Sequence, residues 1–375
     1  MIGGRHSIEV RSSLGNVYRF QVPRLPAIHR QLLASVVFLY PSEDAARAGC
    51  PGGGTGFLIT VPDGEVWDFL KHGDTPPQDF PESEERHVYV ATAAHVIHQG
   101  ATVVRINRGQ QVEVLPLPVG SDGWCFPADG TDLAVARLGM ATPEWQHMAV
   151  SHQMFICPIE VLSAGFLNPE GWIGSGDECF LVGRFLTHEG REQNRPSVRF
   201  GVMAMSYGEK IRDGSSGLEQ ESFLVEARSL SGYSGSPVYV YKAAVMGDDG
   251  EVRPYVSSRV RLLGVDWCHL SHFEPVLGAD RKTPAEPKQW IRLNTGMAGV
   301  IPAWKLTELL NDPEVLDVRQ EEAGKRERKR LESPGEATLD GAVEAEPSEF
   351  DRFEKLTGDL LKVPKSELDE KRKKA

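Results

Sequence analysis

The 375-residue sequence has no apolar run approaching the roughly 18 to 20 residues that a membrane-spanning helix requires. Its opening, MIGGRHSIEVRSSLGNVYRF, carries arginines but no apolar stretch of about seven residues ahead of a small-residue cleavage site. These absences set the expectation of a cytoplasmic protein with no membrane partner. Cysteine is scarce: Cys50, Cys125, Cys157, Cys179 and Cys268 are odd in number, widely spaced and without a C-x-x-C pair. That pattern argues against a disulfide framework and against a structural zinc site, so reduced thiols, mostly buried, and no metal are expected. Basic residues do not cluster on the globular part, and the formal net charge is −12. Phosphate binding needs a concentrated basic surface, so no nucleic-acid partner is expected.

Glycine and proline are plentiful, with 38 and 25 residues, and 40% of the chain is hydrophobic. This favours many short strands joined by turns around a substantial core. Residues 1–30 form a lead-in with strand-like stretches at Ser7–Val10 and Val17–Val22. Patterning of a β domain begins at Leu33–Tyr40 and resumes at Gly54–Thr60. Between Pro62 and Arg86 stand four prolines and many charges, as in a surface insertion. Short β-branched runs follow at His87–Ala91, Thr102–Ile106, Gln111–Leu117 and Asp132–Leu138. A second series starts near Phe155 and includes Cys179–Gly183, Ser197–Met205, Ser222–Ala227, Pro237–Tyr241 and Arg261–Trp267. Strand-length runs at this spacing indicate sandwiches or barrels rather than βαβ units. Ala303–Leu310 has apolar residues at helical spacing and predicts a short closing helix. Residues 318–349 are charged and read as a linker unable to bury enough to order itself. Residues 350–375 form an amphipathic tail, with Phe350, Phe353, Leu356, Leu360 and Leu361 on one face, a candidate site for a regulatory partner.

Three segments carry residue types suited to peptide hydrolysis, which needs a nucleophile, a base, a group to orient the base and donors for an oxyanion. In Gly232-Tyr233-Ser234-Gly235-Ser236-Pro237, small residues around a serine permit a tight turn that exposes its hydroxyl. The amides of Gly232 and Ser234 are the candidate oxyanion hole; the alternative is an ordinary Gly/Ser hairpin loop. An α/β-hydrolase elbow does not fit, because Ser236 stands where its second glycine belongs and a proline and β-pattern follow instead of a helix. Val88–Val96 is an apolar strand running through Ala93 and Ala94 into His95, which on its own reads first as a structural histidine and gains a catalytic reading only beside the serine segment. In Gly130–Leu138, Asp132 leads an otherwise apolar strand, where a buried carboxylate is costly without a partner. Holding the Nδ1–H of a histidine would satisfy it, while Asp129 suits a turn.

Together these segments resemble the chymotrypsin/trypsin-like peptidase superfamily, in which the strand–T-A-A-H, D-[LI]-A and G-x-S-G-[GS]-P elements occur in this order. The gaps here, 37 and 102 residues, suit one element per barrel plus a connection. GTGFLIT before the histidine and Gly176–Gly183 at the opening of the second half look similar as well. The resemblance covers about residues 33–311. It implies an all-β chain of two six-stranded antiparallel Greek-key barrels, with a peptidase domain over 31–311: barrel one over 31–150, barrel two over 151–302, and a closing helix over 303–311. It also implies a catalytic triad of His95, Asp132 and Ser234 acting without cofactor or metal. Departures are informative. Val96 and Leu230 stand where animal trypsins carry cysteines, in keeping with a reducing compartment. Tyr233 replaces the aspartate that a freed N-terminus engages in secreted zymogens.

By the same resemblance, Arg228, six positions before the serine, forms the floor of the specificity pocket and favours an acidic P1 residue; internal salt-bridging is the alternative. Trp267 belongs to the substrate-binding edge, preceded by Asp266 where the family usually has serine. His269 would reach an acidic P1 group. The expected function is a serine endopeptidase acting on a protein or peptide substrate. The rival is a catalytically silent, protease-like binding module.

Overall fold

The computed structural model describes residues 7–11, 17–21, 28, 30–66, 86–120, 123–140, 148, 150–151, 174–186, 188, 190–206, 208–214, 216–227, 231–246, 252–285 and 287–332. The chain divides into compact units Met1–Gly324 and Lys325–Ala375; of the second, only residues 325–332 are described, as the end of a helix. The anticipated insertion over most of 62–86, the start of the second series near Phe155, and the amphipathic tail at 350–375 lie outside the described residues.

In the lead-in, β1 (Ser7–Arg11) and β2 (Val17–Gln21) form an antiparallel hairpin. After helix α1 (Arg30–Ala34), the first half builds one eight-stranded sheet, a half barrel. Its strands are β3 (Val36–Tyr40), β4 (Thr55–Pro62), β5 (Arg86–Thr92), β6 (Val103–Arg108), β7 (Gln111–Pro116), β8 (Trp124–Cys125), β9 (Ala134–Met140) and β10 (Val150–Ser151). They follow the order β7-β6-β3-β4-β5-β9-β8, with β10 added parallel to β4. The short β8 and β10 account for the count above six. Every residue of β3 and β4 is buried, which is why these strands read as continuous apolar runs rather than alternating ones. Helix α2 (Glu43–Ala48) sits between β3 and β4, with Ser42 as its cap and Gly49 in the left-handed conformation at its end.

The second half is a closed six-stranded barrel in the order β11-β12-β15-β18-β17-β16. Its members are β11 (Glu178–Gly183), β12 (Ser197–Met205), β15 (Phe223–Glu226), β16 (Pro237–Met246), β17 (Val252–Pro275) and β18 (Trp290–Pro302); β13 (Lys210–Arg212) and β14 (Glu219–Glu221) form a side hairpin. This mostly antiparallel arrangement, a half-barrel sheet followed by a closed six-stranded barrel, is consistent with the two-barrel chymotrypsin-like architecture that the motifs imply. The first half is an open eight-stranded sheet rather than a closed six-stranded barrel. β17 runs 24 residues, far beyond the Arg261–Trp267 read from sequence. It pairs with β16 as far as Val265 and then continues with β18 out to Pro275.

Helix α4 (Ala303–Leu310) closes the barrel as expected, burying Leu306, Leu309 and Leu310 beside Val265 and Ile301. A correction follows it. The linker placed from residue 318 is, up to Glu332, part of helix α5 (Pro313–Glu332). Asp312 accepts the Glu314 amide at 3.0 Å, and Pro313 sits at the first helical position. The helix is anchored by Val315, Leu316 and Arg319, all buried. The Arg319 guanidinium donates to the carbonyls of Leu310 at 2.8 Å and Gly64 at 3.1 Å, and Glu322 pairs with Arg137. High mean charge concealed a helix held by a few well-placed residues.

Candidate active site

β5 ends at Thr92, and the chain turns directly into the short helix α3 (Ala94–His98), which places His95 in its first turn. The loop before β9 delivers Asp132, whose side chain is buried, to the same point. Asp132 grips the histidine twice. Its Oδ1 accepts the His95 backbone amide at 2.7 Å, and its Oδ2 lies 2.6 Å from Nδ1 of the ring. The imidazole itself stays about a quarter exposed, at 24%. A carboxylate accepts, so Nδ1 carries the proton and Nε2 is left as the acceptor.

Asp132 is positioned in turn by the side hairpin of the second half: its backbone amide donates to Gln220 Oε1 at 3.2 Å, and Gln220 Nε2 donates to Gly130 O at 3.2 Å. Asp129 plays the turn role. It accepts the Thr131 amide at 2.9 Å and lies 3.7 Å from Lys305 Nζ.

Ser234 sits in the loop before β16. Gly232, at φ +97°, and Gly235, at φ +86°, both adopt backbone conformations that glycine favours. Space is equally restrictive at Gly235, where a Cβ would fall 2.0 Å from the Thr55 carbonyl oxygen and 2.2 Å from Thr92 Oγ1. The Gly235 amide donates to Asp266 O at 2.7 Å and that of Ser236 to Tyr233 O at 2.7 Å. Among the described residues, neither the Gly232 nor the Ser234 amide has an internal acceptor, which leaves both for a ligand.

Thr55, the first residue of β4, holds this loop in place. Its amide donates to Ser234 O at 2.9 Å, and its hydroxyl donates to Gly232 O at 2.6 Å while accepting the Arg184 amide at 2.9 Å. Its own carbonyl accepts from Thr92 Oγ1 at 2.7 Å. The residues around the histidine and the serine are thereby fixed to one another through a single threonine.

A cleft of about 450 Å³ joins these parts, lined by His95, Gly232, Ser234, Trp267, His269 and Arg292 among others. The structure thus brings together His95, Asp132, Ser234, Gly232, Trp267 and His269. Arg228 lies outside the described residues. Trp267 is almost fully buried and donates its indole N–H to Ser222 Oγ at 2.9 Å. Asp266 is buried, with its backbone tied to the serine loop: its amide donates to Ser236 O at 2.9 Å. The Cys268 thiol also lines the cleft, but burial, and then the nearby Asp266, Asp213 and Asp132, push its pKa well up, which keeps it a neutral thiol. Cys50, Cys125, Cys179 and Cys268 are all free, with Cys50 exposed.

Sequence reasoning missed Thr55, Thr92, Gln220 and Arg292. A hydroxyl beside glycines in GTGFLIT was the one available signal for Thr55. The others come together only through tertiary packing of the sheet, the side hairpin and the closed barrel.

No protein-family model matches the chain, and no curated protein sequence matches it. Among solved structures, two similar ones are crystal structures of Rv3671c from M. tuberculosis. One is a serine-to-alanine mutant in its inactive form, at 14% identity and TM-score 0.35, covering 77% of this chain and 93% of that one. The other, described as a protease in its active form, has 15% identity and TM-score 0.33, covering 74% of this chain and 80% of that one.

Proposed function

We propose that the chain is a serine endopeptidase, with Ser234 as nucleophile, His95 as general base and acid, and Asp132 as the carboxylate that orients the base. The observation that carries this reading is the double grip of Asp132 on His95, on the amide and on Nδ1, in a cleft that Ser234 also lines. With Nδ1–H committed to Asp132, Nε2 takes the Ser234 proton as Oγ attacks the scissile carbonyl. The imidazolium that forms is stabilised by the adjacent carboxylate. The amides of Gly232 and Ser234 receive the oxyanion. His95 then protonates the leaving amine, and water repeats the sequence on the acyl-enzyme. Acidic P1 selection by Arg228 belongs to this proposal, resting on its place six residues before Ser234.

All three side-chain types are present, which favours turnover over a silent binding module. Ser234→Ala and His95→Ala should each lower hydrolysis of a peptide library by roughly 10³- to 10⁶-fold, with the double variant little worse, because the residues act as a unit. Hydrolysis that survives both substitutions would contradict the proposal.

A further inference from the structure

We infer that Tyr233 is a positioning residue for the proposed oxyanion hole: its side chain, anchored in the closed barrel by Ser197 and Arg199, sets the direction in which the flanking amides point. This rests on the peptidase reading of Ser234 and adds to it a residue that touches neither substrate nor reacting atoms.

Tyr233 stands between the two proposed donors, the amides of Gly232 and Ser234. The Ser234 N–H belongs to the peptide unit whose carbonyl is that of Tyr233, and this carbonyl accepts the Ser236 amide at 2.7 Å. The peptide unit on the other side carries the Gly232 carbonyl, which accepts from Thr55 Oγ1 at 2.6 Å. Peptide units are planar, so only the two backbone torsions at Tyr233 relate one unit to the other. Whatever fixes the Tyr233 side chain therefore fixes the Ser234 N–H relative to the Gly232 backbone.

The side chain is fully buried and reaches the first strand pair of the barrel, where Gly183 and Ser197 oppose each other across β11 and β12. The Tyr233 hydroxyl bonds to Ser197 Oγ, and Ser197 Oγ donates to the Gly183 carbonyl at 3.3 Å. A serine hydroxyl has one proton, so Tyr233 is the donor to Ser197. The Arg199 guanidinium lies 5.0 Å from the centre of the Tyr233 ring and 5.6 Å from that of Phe185, within range of cation–π attraction. Space is fitted to the ring as well. A Cβ on Gly183 would fall 2.7 Å from Tyr233 Cδ1 and 2.1 Å from Ser236 Oγ. Filling this space needs only an apolar ring; the hydroxyl relay to β12 adds one fixed rotamer, and rotamer and backbone torsions are coupled.

Preorganised donors act on the charge of the tetrahedral state and little on bound substrate. Loosening Tyr233 should therefore appear in kcat and spare KM.

The test compares the wild-type chain with Tyr233→Phe and Ser197→Ala, which both remove the hydroxyl pair and keep the ring. Each should lower kcat about 5- to 30-fold, the effect of one lost buried hydrogen bond, with KM changed by less than about twofold. Rates are referred to the folded fraction at the assay temperature, read from thermal melts. The double variant should be no worse than either single one, because both remove the same bond. Affinity for a peptide boronic acid, whose adduct with Ser234 directs a tetrahedral oxygen at the two amides, should fall by a similar factor. Affinity for an uncleavable peptide should not change. Turnover within about twofold of wild type in both variants, a loss carried by KM, additive losses, or equal falls in boronate and peptide affinity would each overturn the inference. Failure of the peptidase reading would show separately, as a wild-type chain whose Ser234 a fluorophosphonate does not label.

Discussion

Asp129 and Asp132 stand three residues apart, and the sequence assigns Asp132 to the histidine and Asp129 to a turn. The structure separates them by environment. Asp132 is buried with two bonds to His95, while Asp129 is more than half exposed on its side chain. Partial burial would raise the Asp129 pKa, but the Thr131 hydrogen bonds and the Lys305 charge outweigh it and hold the carboxyl below its ordinary value. Asp132→Asn should therefore slow hydrolysis by about 10⁴-fold, because an amide in that place leaves the wrong imidazole tautomer. Asp129→Asn should change it by at most about fivefold, the scale of an exposed ion pair. Steady-state kinetics of the two variants decide the assignment, and a larger loss for Asp129→Asn would reverse it. This distinction was partly legible beforehand, since Asp132 leads an apolar strand and Asp129 precedes a glycine. The second bond, from the His95 backbone amide, depends on the short helix α3 and has no sequence signature.

Strand patterning was the most readable property of the elements. β11 begins one residue before the expected Cys179–Gly183 and ends with it, and β12 is Ser197–Met205 as expected. Both are rich in apolar residues, valine and phenylalanine among them. β18 was missed because its outer half, from Trp290 to Thr295, is exposed and mixed in character, without the alternation of a half-buried strand. α5 was missed for the opposite reason: its charges dominate the composition, while the buried Val315, Leu316 and Arg319 and the Glu322–Arg137 pair fasten it.

Thr55 shows how an element end can control a site. Its hydroxyl serves both the Gly232 carbonyl and the Arg184 amide in a buried position. Thr55→Val keeps the shape and leaves both groups without a partner, at a cost of about 1 to 3 kcal/mol for each buried group. The expected result is a fall in kcat with a smaller change in KM, because the loop that carries Ser234 loses its anchor. Thr55→Ser should restore most of the rate. Equal losses for valine and serine would mean that the methyl group, rather than the hydroxyl, matters.

The whole molecule depends on how the two halves are laced together, and arginines do much of this. Arg105 of β6 donates to the carbonyl of Gly190 at 3.2 Å and to that of Arg191, and Asn194 exchanges bonds with Asn107 and Arg105 O. In the other direction, Arg184 donates to Leu39 O at 2.8 Å and Cys50 O at 2.9 Å, with its guanidinium 4.2 Å from the centre of the Tyr40 ring. Buried guanidinium groups are costly unless their donors are satisfied; here backbone carbonyls accept from the terminal nitrogens of both, while Arg105 Nε has no partner among the described residues. Because the Arg184 amide also reaches Thr55, the seam between the halves and the serine loop form one connected structure. Composition could not reveal this, since an arginine in sequence reads first as surface. In the proposed reading, the cleft that results brings Ser234, His95 and the Gly232 and Ser234 amides together, as hydrolysis at a single serine would require.

The most direct test of that account is intact-mass analysis after treatment with a fluorophosphonate probe. The account predicts one adduct per chain, located on Ser234, lost in Ser234→Ala and formed far more slowly in His95→Ala. An unmodified wild-type chain, or an adduct that persists in Ser234→Ala, would contradict it.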